Sequence, residues 1–120
     1  MPSHFAVVVA ELSRRVHHEG MANATHATVT TLRRDSAKEA EQIQEMNRII
    51  GERGFAGVPG FVSGLWTLDR ERSEVLIVHS FDSLQSAESF AAHNWNSAAR
   101  QPEFGMELLS IRVNEILATA

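Results

Sequence analysis

A chain of 120 residues, 43% hydrophobic and 22% charged, has room for one domain with one core. Its 11 basic and 15 acidic residues leave a net charge of -4, which argues against a phosphate backbone as partner. Cysteine is absent, so disulfides, thiolate catalysis and cysteine-ligated metal centres are excluded.

The chain opens on an amphipathic pattern. Phe5, Val8, Val9, Leu12 and Val16 recur at helical spacing, and Gly20 stops the run. Two readings stand for residues 1–23: a helical arm docked on its own dimer, or an extension ahead of an alternative start at Met21. Residues 24–120 form the domain proper. Residues 26–32, rich in threonine and valine, predict the first strand. Asp35 or Ser36 then caps a helix, and Ser36 with Glu39 has capping-box spacing. Ala40, Ile43, Met46 and Ile50 give that helix its apolar stripe, with Lys38, Glu41, Gln42 and Glu45 toward water; Gly51 and Gly54 end it.

Gly57, Pro59 and Gly60 mark a turn. Residues 61–68 and 74–81 predict a hairpin around the charged segment 69–73. Asp82 or Ser83 caps a second helix carrying Leu84, Ala87, Phe90 and Ala91. Pro102 and Gly105 precede a last strand over residues 106–117. The order is strand, helix, strand, strand, helix, strand: an α+β class, ferredoxin-like βαββαβ arrangement with two helices on one face of an antiparallel sheet. A symmetric hairpin sets Leu68 opposite Glu74 and Ser63 opposite His79. Phe61, Leu65, Ile77 and Phe81 then share the face of His79. Trp66, Leu68, Leu76 and Val78 fall on the second face, where large apolar groups call for a partner; the simplest is a second copy, packed sheet to sheet.

With Pro59-Gly60-Phe61 entering the second strand, His79-Ser80-Phe81-Asp82-Ser83 leaving the third, and Phe90-Ala91-Ala92-His93 on the second helix, residues 24–117 resemble the antibiotic-biosynthesis-monooxygenase superfamily of dimeric α/β barrels. The resemblance implies a homodimer and, in one branch, cofactor-independent oxygenation of aromatic polyketides. The sequence departs from the family in having Phe81 where a tryptophan is frequent, and His93 about one helical turn late. The haem-degrading branch has an Asn, Trp, His set that the first strand, with His26 and threonines, does not match.

His79 is the candidate base. Among apolar neighbours, desolvation lowers its pKa and leaves a neutral imidazole able to take a substrate proton. The competing reading is a core histidine bonded to Ser63 or to backbone. Phe61, Ser63, Leu65, Phe81 and His93 are the candidate substrate contacts. His93, with Asn94 and Trp95, sits either at a pocket mouth or at a solvated helix end. Trp66, Leu68, Leu76 and Val78 are the candidate interface, Trp66 reading as an anchor rather than a substrate platform. No cofactor is expected. No metal site is expected either, since His17 and His18, adjacent on a helix, point about 100° apart. No apolar run approaches the roughly 20 residues of a membrane helix, and residues 5–10 are too short for a signal-peptide core. A cytoplasmic protein is therefore expected, binding a small apolar or aromatic molecule. The functional alternatives are a cofactor-independent monooxygenase and a non-catalytic ligand-binding or structural homodimer.

Overall fold

The computed structural model describes residues 23–52, 55–96 and 103–120. The N-terminal apolar stripe and the side chain of Trp95 lie outside the described set. Four strands form one antiparallel sheet: β1 (His26–Arg34), β2 (Phe61–Asp69), β3 (Glu74–Phe81) and β4 (Met106–Glu115), in the order β2-β3-β1-β4. Two helices, α1 (Glu39–Glu52) and α2 (Leu84–Asn96), follow β1 and β3. This is the ferredoxin-like α+β fold, with the elements in the expected order.

Local chemistry explains the helix starts. Asp35 accepts the Ala37 N–H at 3.0 Å and opens a short 3-10 turn, Ser36–Lys38, that leads into α1. The expected Ser36–Glu39 capping box is replaced: Asp35 does the capping, and the Glu39 carboxylate turns to Arg34, 2.6 Å away. Gln42, expected in water, is buried because its amide donates to the Asp35 and Phe104 carbonyls at 2.9 and 3.0 Å, tying α1 to the start of β4. Ser83 caps α2, its hydroxyl accepting the Ser86 N–H at 3.1 Å.

The β2–β3 register differs by one residue from the symmetric expectation. Asp69 pairs with Glu74, so the loop has four residues rather than five. The Asp69 carboxylate accepts the Arg72 N–H at 3.1 Å, and Ser73 takes a left-handed φ of 52°, which closes the shorter turn. A one-residue slip exchanges the faces of a strand. Gly64 therefore lies opposite His79, Trp66 opposite Ile77 and Leu68 opposite Val75. Trp66 and Leu68 move to the face of His79, while Ser63 and Leu65 move to the face of Leu76 and Val78. The shift between Phe61 and Ser63 adds one residue to β2 and returns Phe61 to the face of Phe81.

On that face α2 packs against β1, β3 and β4, and Phe81 and Ala87 are fully buried. The opposite face carries Val29, Leu65, Leu76 and Val78, each half-buried in the single chain. No helix among the described residues is long and apolar enough to cross a membrane.

Candidate functional site

Between α1 and the sheet lies a cavity of about 530 Å³. Its walls are largely apolar: Ile43, Met46 and Ile49 from α1, Trp66 and Ile77 from the sheet, and Phe55 from the loop before β2. That size suits an organic ligand of a few rings. His79, His93 and Asn94 stand at one part of the lining; Arg34, Glu39 and Arg70 stand at another.

His79 sits in an aromatic shell. Its ring centroid is 4.9 Å from those of Phe55, Trp66 and Phe90, and 5.7 Å from that of Phe61. Phe55 and Phe61 stack at 4.5 Å, and Phe81 meets Phe90 at 5.2 Å. Gly64 makes the shell possible. A Cβ there would come 2.9 Å from the His79 ring and 3.0 Å from the Trp66 ring, closer than side chains tolerate.

Burial in this shell pushes the His79 pKa down to about 4, so the imidazole is neutral at physiological pH. Neither ring nitrogen has a hydrogen-bond partner. The expected bond to Ser63 does not form: Ser63 lies on the other face and its hydroxyl meets that of Ser80 at 2.6 Å. On β1, the hydroxyls of Thr28, directly across from His79, and of Thr30 are also buried without partners. A buried polar group left without a partner costs about 1–3 kcal/mol, and native structures hold few of them.

The second polar region is charged. Arg34, almost fully buried, donates from Nη1 to Glu39 Oε1 at 2.6 Å, and the same oxygen accepts from Arg70 Nη1 at 2.9 Å. The Arg34 hydrogen bond, followed by the hydrogen bond and the charge of Arg70, holds the Glu39 carboxyl below the usual carboxylate range. Arg34 Nε is buried without an acceptor. Among the described residues no group of three or more His, Asp or Glu side chains is placed to hold a metal ion.

Of the residues singled out from sequence, the structure brings Phe61 and Trp66 against His79, sets Phe81 against Phe61, and places His93 on the cavity lining. Ser63 and Leu65 are on the far face. Phe55, Phe90 and Arg34 were not anticipated as site residues. Gly64, a glycine inside a strand, was the available signal for close packing against His79.

No protein-family model matches the sequence, and no curated protein matches it. By fold the chain is similar to a dimeric ferredoxin-like protein from an uncultured marine organism. The two are 9% identical with a TM-score of 0.60, over 82% of this chain and 100% of that one. It is also similar to a protein of unknown function from Nitrosomonas europaea, 15% identical with a TM-score of 0.56, over 81% of this chain and 93% of the other. At such identities the likeness establishes the ferredoxin-like fold.

Proposed function

We propose that this protein binds an apolar, aromatic small molecule in the cavity beneath α1 and, with His79 as base, oxygenates it without a cofactor. The observation that carries the reading is a neutral, unpartnered imidazole at the wall of an apolar cavity. Such a base takes a proton from an electron-rich hydroxyarene, and the resulting anion reduces dioxygen. For a phenol with a free para position the balance is one phenol and one dioxygen giving one quinone and one water, all electrons coming from the substrate. Access to the His79 nitrogens requires one surrounding ring to move. Phe55, carried on a loop rather than on a strand or helix, is the ring held least by backbone structure.

Dioxygen uptake with a panel of di- and trihydroxynaphthalenes tests this. Uptake matched by quinone, and abolished in His79→Leu, supports it; equal uptake by wild type and His79→Leu would overturn it. A second reading, binding without turnover, is favoured by the enclosure of both His79 nitrogens. It is upheld if apolar probes saturate the cavity and no uptake occurs.

We further infer a homodimer of the dimeric α/β-barrel kind, packed through Val29, Leu65, Leu76 and Val78. The support is the apolar character of that half-buried face and the dimeric state of one structural neighbour. Trp66 and Leu68 are removed from the interface and assigned to the cavity wall. The likeness to antibiotic-biosynthesis monooxygenases remains a proposal of the same kind, supported by the short sequence motifs and the shared fold class.

A further inference from the structure

The cavity is not uniformly apolar, and its charged region constrains what it takes. Arg34 is the last residue of β1 and lies on the cavity face with Thr30 and Leu32. A guanidinium carries five N–H donors. Here the structure gives it one acceptor, Glu39 Oε1, and Arg70 draws on that same oxygen. Two cations thus share one carboxylate, leaving an excess of one positive charge at this part of the lining. Arg34 is 7% exposed, and its Nε has no acceptor at all. A buried cation with donors to spare is costly unless something anionic completes it.

We propose that the ligand of this cavity is an amphipathic organic acid whose anionic group is received by Arg34 and Arg70. This rests on the cavity being a binding site and deepens that reading by naming the ligand's chemistry. The layout also sets the ligand's proportions. Thr28 faces His79 across the β1–β3 ladder, and at roughly 3.3 Å per residue the stretch from Thr28 to Arg34 spans roughly 20 Å of strand. The anionic group is therefore held well away from His79, and an elongated apolar body lies between, against Trp66, Ile77 and Met46. Arg34 and Arg70 are binding and positioning residues in this arrangement; the reacting part of the ligand is at the other part of the cavity.

Two fluorescent probes that share one ring system separate charge from apolar fit: neutral N-phenyl-1-naphthylamine and its sulfonated relative 1-anilinonaphthalene-8-sulfonate. Both are titrated into the full chain. The wild type is expected to bind both. Arg34→Gln is expected to weaken the sulfonate about tenfold while leaving the neutral probe within twofold, the size of one lost charge-assisted hydrogen bond. Glu39→Gln removes the competing carboxylate and is expected to tighten the sulfonate, again without effect on the neutral probe. A purely structural ion pair predicts the opposite, with both probes weakened alike in both variants. If Arg34→Gln does not fold, Arg70→Gln and Glu39→Gln carry the comparison, because Arg70 is exposed. Binding of the neutral probe with no selective change in the sulfonate would overturn this inference and leave the cavity reading intact. Binding of neither probe would overturn the cavity reading itself.

Discussion

The two helices treat the same sheet face differently. α2 lies directly on β1, β3 and β4, with Ala87 fully enclosed and Phe81 sealed beneath it. α1 stands off: Ile43, Ile49 and Ile50 remain 45%, 43% and 42% exposed, and Ile43, Met46 and Ile49 face a cavity rather than the strands. Both helices follow a strand, and both carry apolar residues at helical spacing. The difference shows that an apolar stripe tells which side of a helix turns inward, and says nothing about how far inward it goes. One half of this face is a packed core and the other half is a container.

Substitutions in the two halves should differ in their cost. Phe81→Ala, in the packed half, should cost about 3–5 kcal/mol, whereas Ile49→Ala, facing the cavity, should cost under about 1 kcal/mol; urea unfolding of both measures the contrast. A similar cost for the two would mean that α1 is packed as tightly as α2.

The pH dependence of stability comes next in size. His79 has a folded pKa of about 4, below the ordinary histidine value of 6.5, so the unfolded chain takes up the proton first. The contribution of His79 is therefore full above about pH 6.5 and falls as the pH drops toward 4, by roughly 3 kcal/mol. Comparing wild type with His79→Leu across pH 7 to 4 isolates it: the wild type should lose more stability over that window, and parallel curves would contradict the burial of the imidazole.

Gly64→Ala should destabilise by about 1–3 kcal/mol, because its Cβ meets the His79 and Trp66 rings. It should also lower the affinity for apolar probes by displacing Trp66; unchanged melting and binding would show that the shell has slack. Smallest of all, Thr30→Val should stabilise by about 0.5–1 kcal/mol, because it replaces an orphaned buried hydroxyl with a methyl of the same shape. A loss of stability instead would show that the hydroxyl has a partner in solution.

Much of the fold was legible from residues. Strand and turn punctuation around Gly60, Asp69 and Asp82 gave the element order, and the surroundings of His79 gave the direction of its pKa. The β2 register was not legible. Five polar residues, 69–73, permit a symmetric hairpin, and only the Asp69 carboxylate bond to the Arg72 N–H and the left-handed Ser73 select the four-residue loop. That single residue exchanged the roles of Ser63 and Leu65 with those of Trp66 and Leu68. The charged part of the cavity was hidden for another reason. Arg34 and Glu39 belong to different elements, and nothing local in the sequence says that a strand-end arginine will be buried. Phe55, in a loop, carries no periodic signal at all.

The proposed function depends on His79 being a neutral imidazole at the wall of the cavity. Histidine NMR tests that most directly, with the His79 signals assigned by their loss in His79→Leu and followed against pH with and without N-phenyl-1-naphthylamine. The expected result is an apparent pKa near 4 and a clear displacement of the His79 ring signals on saturation with the probe. An imidazole that titrates near 6.5 and ignores the probe would contradict it.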